Sequence, residues 1–257
     1  MSEQMLMTLP AEARSVAPAA LLHGLDGLVS RRLTGLPCDG EAIHPYRVQL
    51  AQSAAQHRTA SLLVQRMYAW RGYQGVGGPL QDSPQRTLVV SEGDSILGTL
   101  SVAADKPGYS LSVEQSFPQQ VAELRRAGHR LCEFTKLAVD GEARSKELLG
   151  SLFHAAYRYA DNVHRAETVL VEVNPRHVRF YARLLGFEVV SGVQQNDRVN
   201  APAVLLTLNL AYGLSEIARL GGKPHLAAVE KSFYPYFLAP EGEVQVFIGN
   251  WARSRSA

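Results

Sequence analysis

The chain has 257 residues, within the range of one hydrophobic core, and its 46% hydrophobic and 19% charged composition is that of a water-soluble globular protein. A net charge of +2 provides no strong field for nucleic acid or an anionic membrane, so any basic docking face must be local. No apolar run reaches the roughly 18 residues of a membrane helix, the opening residues lack the basic and apolar regions of a secretory leader, and Cys38 and Cys132 match neither a disulfide nor a metal spacing. These features predict a cytoplasmic protein with no stable membrane insertion, no metal and no nucleic-acid partner.

Residues 1–43 carry no sustained period and are punctuated by Pro10, Pro18, Pro37 and Gly40, which predicts an irregular extension with one short helix near 19–28. A strand is expected over 46–50. A helix over 54–70 follows, with Ala55, Thr59, Leu62, Leu63 and Met67 at helical spacing, and then a Gly- and Pro-rich loop over 72–84. Residues 86–91 and 95–103 alternate about Gly93-Asp94 and read as a hairpin. A loop over 104–117 leads to a helix over 118–127, with Pro118 in its first turn and Gly128 past its end. Residues 130–139 are a strand, and 145–163 a helix with Leu148, Leu149, Leu152, Phe153, Ala156, Tyr159 and Val163 on one side. The β-branched run 168–173 is a buried strand. Asn174 then caps a helix that begins with Pro175 and ends at Gly186. Strands are expected over 187–193 and 203–210, and one or two helices with a mixed tail after them. The expected organisation is an extension (1–43), a core (44–212) and a helical tail (213–257), with an α/β core whose mixed sheet is flanked by helices.

The sharpest signal is residues 171–188, Val-Glu-Val-Asn-Pro-Arg-His-Val-Arg-Phe-Tyr-Ala-Arg-Leu-Leu-Gly-Phe-Glu. A strand runs into an Asn-capped helix bearing Tyr181, and Leu-Gly-Phe-Glu leads out into a strand. This segment resembles the fifth strand, fourth helix and sixth strand of GCN5-related N-acyltransferases. In that fold the two central strands part, the pantetheine arm of the donor lies in the gap, and the helix tyrosine faces the leaving sulfur; the resemblance makes Tyr181 the general-acid candidate. Residues 132–139, Cys-Glu-Phe-Thr-Lys-Leu-Ala-Val, resemble the fourth strand of the same fold. They also resemble the Glu-x-Ser/Thr-Arg pattern of autoinducer synthases, with Lys136 where those enzymes carry Arg. Two further stretches, DSILGTLSV at 94–102 and VNAPAVLL at 199–206, narrow the resemblance to long-chain N-acyl amino acid synthases. It covers roughly 46 to 210. It implies transfer of a fatty acyl group from acyl carrier protein to the amine of an amino acid such as tyrosine.

The nature of the donor can be argued from residues 144–149, Arg-Ser-Lys-Glu-Leu-Leu. Coenzyme A users of this fold carry a glycine-rich loop here, whose open amides at a helix N-terminus cradle the pyrophosphate. Glu147 and Leu149 stand where small residues are needed, and would repel and obstruct a pyrophosphate. A carrier-protein arm has one phosphate and needs less of a cradle. The expected donor arm is therefore the phosphopantetheine of acyl carrier protein, with acyl-CoA as the alternative and no permanently bound cofactor. Arg144, Ser145 and Lys146 are candidates for its phosphate, and Val139 and Asn174 for the arm. Acidic carrier proteins want a basic face. Arg176, Arg179 and Arg183 share one helix stripe, and Arg125, Arg126 and Arg130 form a second cluster; a solvated face explains either group equally well.

Acylating an amine requires that the amine lose a proton, the thioester carbonyl be polarised and the thiolate be accepted. Glu133, a carboxylate within an apolar strand, is the base candidate, directly or through water; a structural pairing with Lys136 or Arg130 is the alternative. The resemblance implies a backbone amide near Leu137, at a bulge, for the carbonyl oxygen. Tyr181 serves the thiolate, or is simply a core aromatic. His177 reads as a structural, hydrogen-bonded histidine, and strand alternation turns Cys132 away from Glu133. For the acceptor carboxylate, Arg47, Arg66, Arg71 and Lys136 are available. Arg66, Tyr68, Trp70, Lys136 and Arg176 are assigned to the acyl or acceptor pocket, and Met67, Tyr68, Trp70 and Tyr73 could line an acyl tunnel or pack a core. The rival readings are an S-adenosylmethionine-using autoinducer synthase, an acyl-CoA N-acetyltransferase and a non-catalytic acyl-carrier-binding module. Phe233, Tyr234, Tyr236, Phe237, Phe247 and Trp251 are expected to cover an apolar face or build a dimer contact.

Overall fold

The computed structural model describes residues 46–69, 72–73, 84–141, 143 and 145–239. The extension with its expected helix, residues 240–257 with Phe247 and Trp251, and the candidates Trp70, Arg71 and Arg144 lie outside the described residues.

Among the described residues eight strands form one mixed sheet in the order β1-β2-β3-β4-β5-β8-β6, with β7 pairing β8. These are β1 (Arg47–Leu50), β2 (Gln85–Glu92), β3 (Ser95–Ala104), β4 (Leu131–Val139), β5 (Thr168–Val173), β6 (Glu188–Val189), β7 (Gln194–Asn196) and β8 (Ala201–Asn209). Every pairing is antiparallel except the central one, β4 with β5. A parallel pair needs a crossover, and α3 (Lys146–His164) provides it. The helices divide between two faces. Leu88, Val90, Leu100, Val102, Cys132 and Phe134 point to the face covered by α3, α4 (Val178–Leu185) and α5 (Leu210–Leu220). The alternate residues Val89, Ala103, Leu131 and Leu170 point to the other face. There α1 (Ala54–Ala69), a 3-10 turn over Ser112–Gln115 and α2 (Pro118–Arg126) cover them.

Two local irregularities shape the centre. The parallel ladder runs from Leu131↔Thr168 to Phe134↔Val171 and stops. Beyond it β4 stays paired to β3 as far as Val139, and β5 to β8 as far as Val173. The two strands part, and a gap opens between their C-terminal halves. The second irregularity lies on the β3 side of β4. Thr99 faces Ala138 and Ser101 faces Thr135, so Lys136 and Leu137 together oppose Leu100. This is a β-bulge, and Lys136 takes a left-handed φ of 53° to make it.

Past β8 the chain folds back onto α3 and α4. Tyr234 Oη donates to the Leu185 carbonyl at 2.7 Å, Phe233 N donates to Leu184 O at 2.9 Å, and Phe233, Tyr234 and Phe237 are buried. The contact is close enough that a Cβ on Gly150 would sit 2.1 Å from the Tyr236 carbonyl oxygen. Two expectations need correction. The strand over 187–193 is only Glu188–Val189, because the Ser191 hydroxyl, not a backbone carbonyl, takes the Leu205 amide at 2.8 Å and ends the ladder. The loop over 104–117 contains the Ser112–Gln115 turn, which the sequence reading left out.

Candidate active site

Glu133 and Cys132 are neighbours on β4 and point to opposite faces, as alternation requires. Cys132 is packed under α3, where burial pushes its thiol far above the usual range; it is no nucleophile. Glu133 faces the Ser112–Gln115 turn and is 1% exposed. Its Oε2 accepts the Ser112 amide at 2.7 Å, and the Val113 amide also bonds to it. Arg130, one of the two partners considered for it, is instead held by Glu167 and by the Arg165 carbonyl. Burial raises the Glu133 carboxyl from its ordinary value to about 7, with the nearby Glu172 adding to the rise and the two amides and Arg198 opposing it. A carboxyl poised near neutrality suits proton transfer.

Beyond the end of the parallel ladder, on the face of Glu133, lies a buried polar cluster. Glu172 projects from β5, and its Oε1 accepts from Ser116 Oγ and from Asn196 Nδ2, both at 2.7 Å. Its Oε2 accepts from Arg198 Nη2 at 2.6 Å, and the Glu172 side chain is only 7% exposed. Lys136, lifted by the bulge, lies within electrostatic reach of Glu133 and Arg198; burial foremost, and Arg198 next, lower its affinity for a proton, while Glu133 opposes. Glu172, Asn196 and Arg198 escaped the sequence reading. The signal used for Glu133, a carboxylate in an apolar strand, applies equally to Glu172 in Thr-Val-Leu-Val-Glu-Val. Arg198 sits in a turn and has no sequence signal.

From the opposite face Tyr181 reaches the gap. It packs edge-on against Phe153, Phe180 and Phe187 at centroid distances of 6.3, 5.3 and 5.4 Å. Burial, helped by the phenol of Tyr68 on α1, raises its hydroxyl well above the usual range, so it holds its proton at any physiological pH. It is a core aromatic whose hydroxyl keeps its proton. Tyr68 also stacks edge-on with Tyr73, 5.8 Å away. The Tyr73 hydroxyl accepts from Arg176 Nη2 at 2.6 Å, and Arg176 Nε donates to His177 Nε2 at 3.3 Å. Asn174 caps the 3-10 turn Pro175–His177 by accepting the Arg176 amide, and its Nδ2 donates to Pro202 O at 3.2 Å. Arg176 and Tyr68 thus meet through Tyr73.

The remaining candidates are less concentrated. Val139 is buried at the end of β4 under α3. Ser145 caps α3, its Oγ accepting the Leu148 amide at 2.9 Å, and Lys146 Nζ donates to Tyr236 Oη at 3.3 Å. Arg66 is paired with Asp140, and Arg47 is exposed on β1. In the proposed second basic cluster, Arg125 is locked between Asp105 and Glu114, which with the Arg130–Glu167 pair makes those residues structural. Arg179 and Arg183 remain exposed on α4.

The arrangement offers a gap between parted strands, a buried carboxyl and two cations on one face, and a protonated tyrosine on the other. This can hold a thioester arm, take a proton from an amine and return one to a thiolate. The model of the family described as N-acyl amino acid synthase FeeM matches residues 59–209, more than half of the chain. Among solved structures the chain is similar to FeeM, an N-acyl amino acid synthase from uncultured soil microbes, with 25% identity over 66% of this chain and 94% of that one and a TM-score of 0.58. Escherichia coli ElaA is similar at 12% identity over 63% and 97%, with a TM-score of 0.46. An acyl-CoA N-acyltransferase from Pseudomonas aeruginosa is similar at 15% over 63% and 97%, with a TM-score of 0.45. No curated protein matches. The expected GCN5-related N-acyltransferase fold, a mixed sheet flanked by helices, is the fold of this chain.

Proposed function

This chain belongs to the FeeM family of N-acyl amino acid synthases, and we propose that within it the chain moves a long-chain fatty acyl group from acyl carrier protein to the α-amine of an amino acid, tyrosine being the first to try. The observation that carries the reading is the placing of Glu133, buried and poised near neutral pH, beside the gap where β4 and β5 part. The donor arm occupies that gap, lined by Val139 and Asn174, with its phosphate at Ser145 and Lys146. The acceptor enters from the face of Glu133. Glu133 removes the amine proton, through a bridging water because the carboxyl is fully covered. The backbone at Leu137, raised by the bulge, meets the oxyanion, and Tyr181 protonates the departing thiolate. Tyr68, Arg66 and Arg176 border the acyl or acceptor pocket.

Two features support the carrier protein over coenzyme A as donor. The Ser145 hydroxyl already occupies the Leu148 amide, one of those that would otherwise face a pyrophosphate. Glu147 is exposed in the first turn of α3, where its charge would repel a pyrophosphate, whereas Leu149, expected to obstruct one, is packed into the core and does not. No helix among the described residues is long and apolar enough to cross a membrane. The test is reconstitution. The purified protein is given palmitoyl-carrier protein or palmitoyl-coenzyme A, each with a panel of amino acids, and N-acyl products are quantified. Product from the carrier thioester at a kcat/KM at least ten times that from coenzyme A is expected. Equal use of both thioesters would sink the donor assignment.

A further inference from the structure

Arg198 occupies the turn between β7 and β8, outside every motif that pointed to the site. Three contacts fix it there. Its backbone amide donates to Asn196 Oδ1 at 2.9 Å, Asn196 Nδ2 donates to Glu172 at 2.7 Å, and Glu172 receives the Arg198 Nη2 at 2.6 Å. Asn196 is 5% exposed, so the turn is anchored into the protein rather than laid on its surface. The guanidinium is consequently held at the mouth of the gap, on the Glu133 face, with its side chain 36% exposed. A guanidinium has five donors. Among the described residues Glu172 takes one of them, which leaves the fork open toward solvent, within electrostatic reach of Lys136.

Placing a second cation beside the first is costly unless an anion joins them. Lys136 and Arg198 repel, and Lys136 is strained at φ 53° to hold its place. Against these two positive charges stand Glu172 and a Glu133 that is partly protonated near neutrality. Formally the two cations and the two carboxylates balance, and Arg198 is the most exposed of the four, the one an incoming anion can reach. An amino acid carries its carboxylate one carbon from the amine that must lose its proton. A cation that reads the carboxylate must therefore lie close to the base that serves the amine. On the same reading the donor phosphate goes elsewhere, to the start of α3, which packs on the opposite face.

On the reading that the acceptor is an amino acid, we propose that Arg198, aimed by Glu172 and Asn196 and joined by Lys136, is the recognition residue for the acceptor's α-carboxylate. It makes the enzyme select amino acids over simple amines, and its contribution is to binding of the acceptor, not to the thioester donor. Arg198→Met and Arg198→Lys test this with palmitoyl-carrier protein, comparing amino acids with amines that lack only the carboxylate, tyrosine and tyramine first. Loss of a charge-assisted contact in Arg198→Met should raise KM for tyrosine on the order of 30-fold. KM for tyramine and for the donor should stay unchanged, and Arg198→Lys should recover part of the loss. An unaltered preference for tyrosine over tyramine would overturn the assignment, as would an equal loss with both acceptors, the mark of a structural role. A raised KM for the donor alone would overturn it in favour of a phosphate contact. Wild-type protein that acylates no amino acid at all would instead remove the underlying reading, and thermal melts of both variants separate any folding defect from these outcomes.

Discussion

At the scale of single residues, the energetics of Glu133 set stability against chemistry. Its ordinary value is 4.5, and burial in the native chain raises it to about 7. Between those limits the native state binds more protons than the unfolded state. Stability therefore falls as pH rises from 4.5 to about 7, and above that it is lower by about 3 kcal/mol. Catalysis runs the opposite way, since a base acts only when deprotonated, so kcat should climb through pH 7. Glu133→Gln keeps an acceptor for the Ser112 amide and removes the ionisation. Its melting temperature at pH 8 should exceed that of wild type, while kcat falls on the order of 100-fold or more. A variant that is active and no more stable at pH 8 would show that the carboxyl is neither base nor burdened. Lys136 makes a related prediction about the backbone. At a left-handed φ, Lys136→Gly should be more stable than Lys136→Ala by about 1 kcal/mol in urea unfolding. Equal stabilities would mean that the bulge relaxes.

At the scale of elements, the bend of the C-terminal segment onto α3 depends on one missing side chain. A Cβ at Gly150 would lie 2.1 Å from the Tyr236 oxygen and 2.6 Å from its carbonyl carbon, so the backbone itself must shift. Gly150→Ala should lose about 1–3 kcal/mol and loosen Tyr236 from Lys146, whereas Gly141→Ala, with nothing within 4 Å, should melt like wild type. Comparing the two by thermal unfolding is decisive, because helix propensity alone predicts that Gly150→Ala stabilises. Elements were mostly readable in the sequence where an apolar period coincided with a cap: Ser145, Asn174 and Gly186 each sit at the end expected of them. The reading failed where apolar residues are exposed. Val189 and Val193 look like a strand, yet they are 49% and 61% exposed and the ladder ends between them. Glu133 was visible as a charge in an apolar strand. Arg198 and Asn196 were not, because a turn acquires its meaning only when folding lays it against β5.

At the scale of the molecule, the two faces of the sheet divide the labour proposed for them. On the proposed reading, the Glu133 face receives the acceptor and the Tyr181 face holds the arm and its carrier. Arg179 and Arg183 are exposed on α4, next to that second face, while Arg125 and Arg130 are bound up in ion pairs. A carrier protein, being acidic, should therefore dock on α4. Arg179→Glu with Arg183→Glu should raise KM for an acyl carrier protein about tenfold at low salt, with the difference shrinking as salt screens the contact. Activity with acyl-pantetheine, which has no carrier to dock, should be unchanged. A loss equal for both donors would place the arginines in folding rather than docking.

The central claim, that the chain makes N-acyl amino acids by way of Glu133, is tested most directly by mass spectrometry of lipid extracts from cells expressing it, beside cells expressing Glu133→Gln at equal levels. The account predicts a new series of long-chain N-acyl amino acids in the first extract, greatly diminished in the second, whose masses name both acceptor and chain length. Extracts with no such series, from cells holding folded protein and acyl carrier protein, would contradict it.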